Sequence, residues 1–500
     1  MTNLNLERKT GTLTEQLVAQ LLLKPITTAD RQRSALHVID WLACVAGGAT
    51  AEVAKAFASQ LAFINNSSVT ASPQATATAL WQGKTDWQSA LQYNAALGNV
   101  LEMDDVHRSS ILHAGPVVIP AALAMAEHCQ ASLDQFLDAV ILGYEVTIRI
   151  GQAIGRSHYR YYHNTSSCAA FGAAMAAGFL LKLTPQQLVW ALGNTGSRTG
   201  GLWQMRHEDV MTKQFHNAEA SKSGVQAALL AKAGLTGPAA ILEGPQGLFA
   251  ATSNDAIPEK VLATSAHWLM HDCTFKPWPA CRHAHPAMDV VIQAFGQNTD
   301  VDLKENIEIE GLEYKDLSVT VQQINIGCYQ DAITFCDRPE PQTELQAKFS
   351  IQHAVACLLI FGEPKLWHYQ AEARADERVA AMRRKITLFL DADIEANYPT
   401  HYGASVRIQL TTEPLAISHR HQDTLGDPER PLSQQQIMDK ADYLFNHNGL
   451  TLAQRQQLLS FNWFSQNDLS ALTQLLLPSS EKTTKSVVHQ ATQRGANDRD

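Results

Sequence analysis

Apolar residues recur at helical spacing through the first half of the chain. The pattern predicts helices over 11–23, 29–47, 50–64, 86–100, 117–130 and 133–155, many of them rich in alanine. Thr28 or Asp30 is placed to cap the second, and Gly47-Gly48 to end it. Residues 167–182 carry so many small side chains that neighbouring backbones must approach closely, which predicts a buried central helix. Thr184-Pro185 reads as an N-cap with proline at the first helical position, opening a helix through Leu192. Residues 217–233 form a further helix, stopped by Gly234.

The period then changes. Alternation of two marks strands within 307–321, 385–391 and 403–411, among helices at 284–296, 343–361 and 371–383. Helical spacing returns at 433–447, 451–460 and 467–476. The expected fold is mainly α with an α+β insertion. Residues 1–268 form a helical domain, 269–415 a smaller α/β domain, and 416–478 helices returning to the first domain. The polar segment 479–500 is expected to be disordered.

A length of 500 residues exceeds one simple core. A hydrophobic share of 45% and a charged share of 18% describe an ordinary globular chain. The net charge of −10 argues against nucleic acid or an anionic membrane as partner, since both need a basic face. It leaves room for a small anionic substrate, which needs only a few local cations. The eight cysteines contain no C-x-x-C pair and read as reduced, mostly buried thiols of a cytoplasmic protein. No signal peptide and no transmembrane helix are expected from the apolar runs.

Candidate chemistry concentrates at 102–120. Glu102, Asp104, Asp105, His107, Arg108 and His113 fall within twelve residues, wedged between apolar stretches. Buried charges are costly unless paired or used. Gly115-Pro116 places His113 on a loop feeding the next helix. The alternative is a solvated loop whose acids pair with Arg108. His163 stands before the small-residue helix, where a helix N-terminus favours anions, although a lone histidine is more often structural. Lys213, just ahead of the 217–233 helix, can hold a carboxylate or can simply be solvated. Lys276, Arg282 and His285 lie in a proline-stiffened stretch where the helical pattern gives way, a favoured place for a ligand cleft. His283-x-His285 lacks the acid and cysteine spacing of a zinc site, so no metal is expected. The stretch from Cys336 to Ser350 reads as a ligand contact or as a structured loop with an N-cap, and His419-Arg420-His421 as solvated surface. Phosphate-loop, dinucleotide-fold, serine-hydrolase and zinc-protease motifs are all missing. The remaining histidines, acids and cations are equipment for moving a proton beside a carboxylate.

In order along the chain stand Asp104-Asp105-x-His107, His113-x-Gly115-Pro116, His163-x-Thr165, Lys213-x-x-His216 with Gly224, Lys276-Pro-x-Pro-x-Cys281-Arg282-x-x-His285, and Ala347-Lys348-Phe349-Ser350. Together they resemble the MmgE/PrpD family, over about residues 10–475. That family includes 2-methylcitrate dehydratase, cis-aconitate decarboxylase and iminodisuccinate epimerase. The resemblance implies a large helical domain with an inserted α/β lid, a homodimer, and no metal or organic cofactor. It also implies that His113, His163 and Lys213 face the cleft, beside the Asp104-Asp105 loop. The family's common acid-x-Asp-Asp-Thr reads Glu102-Met103-Asp104-Asp105-Val106 here, so a hydroxyl is lost and the first acid is longer. Ala114 stands where proline commonly follows the loop histidine.

The expectation is an enzyme acting on a small di- or tricarboxylate at a carbon next to a carboxylate. Lys213 and Arg282 would clamp carboxylates, and His113 and His163 would serve as base and acid. Asp104 or Asp105 would orient a histidine or assist a leaving hydroxyl. Glu102, His107, Arg108, Lys276 and His285 would line the binding site. Dehydration of the 2-methylcitrate type comes first. Decarboxylation, epimerisation and a catalytically silent carboxylate binder are the alternatives.

Overall fold

A computed structural model describes residues 11–67, 76–208, 210–295, 321–411, 416–464 and 468–478. They fold as two compact units. The first takes the residues up to Val100, Leu112–His271, and those from Ala441 onward. The second takes Leu101–Ile111 and Asp272–Lys440. Residues 416–440, expected with the returning helices, therefore lie in the second unit, as do 101–111.

The first unit is helical: α1 (Leu13–Leu23), α2 (Thr28–Gly48), α3 (Glu52–Ser67), α4 (Trp87–Leu97), α5 (Gly115–His128), α6 (Leu133–Ala153), α7 (Arg156–Tyr159), α8 (Asn164–Leu180), α9 (Pro185–Gly196) and α10 (Thr212–Lys232). A short hairpin of β1 (Ala77–Ala79) and β2 (Gly83–Thr85) joins them. Helix recurs from Ala441 to the end of helix Gln434–His447, and at Leu452–Leu459 and Leu469–Leu475. Reciprocal capping boxes open α1, α6 and α9, where Thr12, Ser132 and Thr184 meet Glu15, Gln135 and Gln187. Neither Thr28 nor Asp30 caps α2. Thr27 does, and Asp30 closes the box from the third helical position. No single helix among the described residues is long and apolar enough to cross a membrane.

The small-residue helix α8 is the buried centre of this unit, packed against α5, α6, α9 and α10. Glycines set the approach. A Cβ at Gly172 would stand 2.0 Å from Thr147 Oγ1 and 2.4 Å from the Gly143 carbonyl oxygen of α6. A Cβ at Gly224 of α10 would stand 2.4 Å from the Ala170 carbonyl oxygen. Only hydrogen fits at either place.

The second unit holds a mixed four-stranded sheet in the order β6-β5-β7-β8. Strand β5 (Val321–Cys328) runs parallel to β6 (Ile386–Leu390) and antiparallel to β7 (Ala404–Leu410), which pairs antiparallel with β8 (Ile417–His421). Alternate residues of β7 (Ala404, Val406, Ile408) turn inward and share a core with Ile324, Ile326, helix His285–Phe295 and helix Ile351–Phe361. A two-residue pairing of β3 (Val106–His107) with β4 (Cys273–Thr274) ties the early charged stretch to this unit.

Several expectations change in detail. The strand expected within 307–321 lies, up to residue 320, outside the described residues, as does the polar tail 479–500. The helix expected over 343–361 is broken by Phe349. Glu344–Lys348 ends there, and Ser350 caps Ile351–Phe361 by accepting the His353 N–H while donating to the Arg338 carbonyl. Asp376 likewise divides 371–383 into two short helices. His419 and His421 belong to β8 rather than to open surface. His421 Nε2 meets the Pro286 carbonyl, and His419 Nε2 meets Gln293.

Replacing Gly172 by alanine should destabilise the protein by about 1–3 kcal/mol through overpacking. Gly200→Ala, at a position with open space around it, should leave the urea midpoint nearly unchanged. Equal midpoints for the two variants would contradict the contact described at α8.

Candidate functional site

The expected site residues fall into two groups, one in each unit. His113, His163 and Lys213 lie in the helical unit. Glu102, Asp104, Asp105, His107, Arg108, Lys276, Arg282 and His285 lie in the other.

In the helical unit, His163 is the N-cap residue of α8 and its carbonyl accepts the Ser167 N–H. Its own N–H donates to the Gly201 carbonyl at 2.8 Å. The ring is buried, packs on Trp203 with centroids 4.5 Å apart, and brings Nδ1 to 3.3 Å from His216 Nδ1. Two residues along α8, Thr165 Oγ1 accepts the backbone N–H of His113 at 3.0 Å. That bond fixes the loop before α5 against the start of α8. Lys213 does not precede its helix as expected. It is the second residue of α10, one turn before His216, and is mostly buried. Burial, and then the Lys213 charge, lower the pKa of His216, so its imidazole stays neutral at physiological pH. Asn217 and Ser221 follow Lys213 at four-residue steps. Both are fully buried, and neither finds a hydrogen-bond partner among the described residues. This face of α10 is polar where a core helix would be apolar.

The second unit buries a dense set of charges. Lys276 has no solvent exposure. Its Nζ donates to the Glu102 carbonyl oxygen at 3.2 Å and lies 3.5 Å from a carboxylate oxygen of both Glu102 and Asp104. Glu102 adopts a φ of 56°, uncommon for a residue with a side chain. Lys440 Nζ donates to the Met103 carbonyl. Glu102 and Asp104 thus face Lys276 rather than Arg108, unlike the alternative of loop acids paired with Arg108. Arg108 reaches across the sequence to Asp423, Asp427 and Glu429, at 3.2, 3.2 and 2.7 Å. Asp427 also takes Arg282 at 2.7 Å and the Thr274 hydroxyl at 2.6 Å. Burial alone would raise its pKa, but the Arg282 and Arg108 charges and the Thr274 hydrogen bond together hold it below the usual carboxylate range.

The histidines of this unit are structurally engaged. Burial pushes His107 down to about 4, with Asp272 opposing and Arg108 reinforcing the shift, and its Nδ1 meets Ser110 Oγ at 2.7 Å. His285 is held well below its ordinary pKa by burial and then by Arg282 and Lys276. Its Nε2–H donates to the Ala280 carbonyl and its Nδ1 accepts from Arg282. His283 Nδ1 meets the Tyr329 hydroxyl. Among the described residues, His401, Asp423 and Glu429 bring ligand atoms within 4.8 Å of one another. Arg108 already binds both of those acids, so a metal cation there would face a guanidinium.

Asp427, Lys440 and His216 were not among the expected site residues. His216 carried a signal, its three-residue spacing from Lys213. Asp427 and Lys440 carried none, because the groups they meet at Arg108, Arg282 and Met103 lie far off in the sequence.

Two outcomes follow from these charges. Asp427→Asn leaves two buried guanidiniums short of a partner and should cost about 3–5 kcal/mol, read as a lower urea midpoint. His107 titrates near 6.5 when unfolded and near 4 when folded, so its contribution is present above 6.5 and lost as pH falls toward 4. Burial shifts His158, His353 and His368 the same way. Stability should therefore fall between pH 6.5 and 4, and His107→Gln should flatten that fall; a pH-independent midpoint in this window would contradict it.

Comparison with known proteins places this arrangement in context. A cis-aconitate decarboxylase of Homo sapiens is 25% identical over 423 residues, 82% of each chain. A cis-aconitate decarboxylase-like protein of Aspergillus oryzae is 30% identical over 171 residues, 32% of this chain and 35% of the relative. A 2-methylcitrate dehydratase of Escherichia coli is 24% identical over 286 residues, 56% of each chain. The MmgE/PrpD N-terminal domain matches residues 14–260 and the MmgE/PrpD C-terminal domain residues 278–463. With both domains present in order, the chain belongs to the MmgE/PrpD family.

Proposed function

We propose that this protein is a lyase acting on a small di- or tricarboxylate, moving a proton at a carbon next to a carboxylate. The observation that carries the reading is the grouping within one helical unit of His163, His216 and Lys213, with His113 tied by its backbone to Thr165. Lys213 and the N-terminal amides of α10 hold a substrate carboxylate. Arg108 and Arg282 are bound to the buried Asp427 of the other unit. Of His113 and His163, one takes the proton from carbon and the other delivers a proton to the departing group.

In dehydration the C–H bond breaks to the base, its electron pair forms the double bond, and the hydroxyl leaves as water with the acid's proton. This remains the first reading. The second is decarboxylation, in which the bond to a carboxylate breaks, carbon dioxide leaves, and an imidazole protonates the electron-rich carbon. The wider coverage by the human decarboxylase favours this second reading.

Incubation with a polycarboxylate panel including 2-methylcitrate and cis-aconitate tests both. Dehydration gives a new ultraviolet absorbance without gas, and decarboxylation gives carbon dioxide together with solvent deuterium at the newly protonated carbon of the product by NMR. His113→Ala should lower kcat by roughly 10²–10⁴-fold with an unchanged urea midpoint. Near-normal turnover in that folded variant would remove His113 from the chemistry. Silence across the panel, with thermal stabilisation by a carboxylate, would reassign the protein as a binder.

A further inference from the structure

We infer that His158 is a positioning residue, whose imidazole, with its hydrogen on Nδ1, accepts the Ser167 hydroxyl and so clamps the first turn of α8 that carries His163. The clamp rests on geometry; its kinetic consequence rests on the lyase reading.

His158 lies in the single turn α7 and is fully buried, which keeps it from touching a substrate. Its Nδ1 stands 2.8 Å from Thr252 Oγ1, and its Nε2 stands 2.8 Å from Ser167 Oγ. The direction of both bonds follows from Thr252. That hydroxyl donates to the Leu248 carbonyl at 2.7 Å, and a hydroxyl has one hydrogen to give. Towards His158 it can only accept, so Nδ1 carries a hydrogen. Burial lowers the pKa of His158 to about 4, so the ring holds one hydrogen at neutral pH. The Thr252 backbone opposes part of that shift, as an accepting carbonyl beside a ring N–H does. Nε2 is therefore a lone pair, and the Ser167 hydroxyl donates to it.

These contacts close a loop of chain around His163. The His158 carbonyl accepts the N–H groups of Tyr161 and Tyr162 at 3.1 and 2.9 Å. The Tyr162 ring stacks on the imidazole, with centroids 4.6 Å apart and planes 12° from parallel. At the far end of the stretch, Ser167 donates its N–H to the His163 carbonyl and its hydroxyl to His158. α7 is itself anchored, because Asp255 accepts the N–H groups of Arg156 and Ser157 at 3.1 and 3.0 Å. The imidazole thus joins α7, helix Leu248–Thr252 and the start of α8 by two hydrogen bonds of fixed direction. Without that acceptor, the Ser167 hydroxyl would turn to the His163 and Asn164 carbonyls, now 3.3 and 3.5 Å away. Its pull would then fall on the backbone of His163 itself.

The test uses the full chain labelled with 15N-histidine, with His158 and His163 assigned by comparison with His158→Gln and His163→Gln. In the natural protein His158 should be neutral with its hydrogen on Nδ1, the form that free histidine disfavours. Ser167→Ala deletes one hydroxyl and keeps the Ser167 N–H. It should shift the Nε2 resonance of His158, leave the hydrogen on Nδ1, and shift the resonances of His163. On whichever carboxylate is turned over, His158→Leu and Ser167→Ala should each lower kcat about 10–100-fold with KM changed less than about threefold, as a small displacement of a reacting group does. The two together should lose little more than either alone, because both break the same contact. His158→Gln, whose amide oxygen can take the Ser167 hydrogen, should recover most of the loss. If His158→Leu does not fold, Ser167→Ala and His158→Gln carry the comparison. A hydrogen on Nε2 of His158 would overturn the inference, as would unmoved His163 resonances or an undiminished kcat in folded Ser167→Ala. If no carboxylate is turned over, the lyase reading has failed and the resonances of the two histidines alone decide the clamp.

Discussion

At Gly172 the backbone of α8 comes so near to α6 that a single methyl group would collide with a side chain and a carbonyl at once. At Gly224 the same helix meets α10 with equally little room. The candidate site of the helical unit depends on these contacts. The first turn of α8 carries His163 and Thr165, and the first turns of α10 carry Lys213 and His216. Rigid, close-packed helices hold the two termini side by side, and a small displacement would separate imidazoles that now share a hydrogen bond. The core and the candidate site thus rest on the same helix contacts.

The second unit meets a different constraint. Charge taken out of water costs several kcal/mol per ion unless partners replace the lost hydration. Asp427 is the shared answer for Arg108 and Arg282, with the Thr274 hydroxyl and the Thr424 N–H completing its oxygens. Lys276 performs the same service for Glu102 and Asp104, and the β3–β4 pairing brings that stretch alongside. The fully buried Lys276 has both acids and a carbonyl within reach, so its charge is balanced. Replacement of the family's common threonine by Val106 falls inside β3, where a β-branched side chain suits the strand.

Much of the fold was legible in the chain. Nearly every helix of the first unit was placed by apolar spacing and caps, since those signals are local and act through neighbouring residues. The central position of α8 could be read from its small residues, because only close backbone approach explains so many. Boundaries were less legible. Lys213 and His216 looked like a preface to α10 and proved to be inside it, since no capping side chain marks the start at Met211. The break at Phe349 and the burial of His421 depend on contacts with Arg338 and Pro286, which local pattern does not contain.

The family, and the order of the residue types that make the candidate site, were legible in the sequence alone, because each motif is a short run with its own spacing. Which charges pair was decided only in three dimensions. Arg108 lies beside Asp104 and Asp105 in sequence yet binds Asp423, Asp427 and Glu429, more than three hundred residues away. The contact of His163 with His216 likewise spans two helices that only packing brings together. Local propensity sets how each segment folds. The pairing of buried charge and the shared proton of two imidazoles are set by distance in space, which no stretch of the chain encodes by itself.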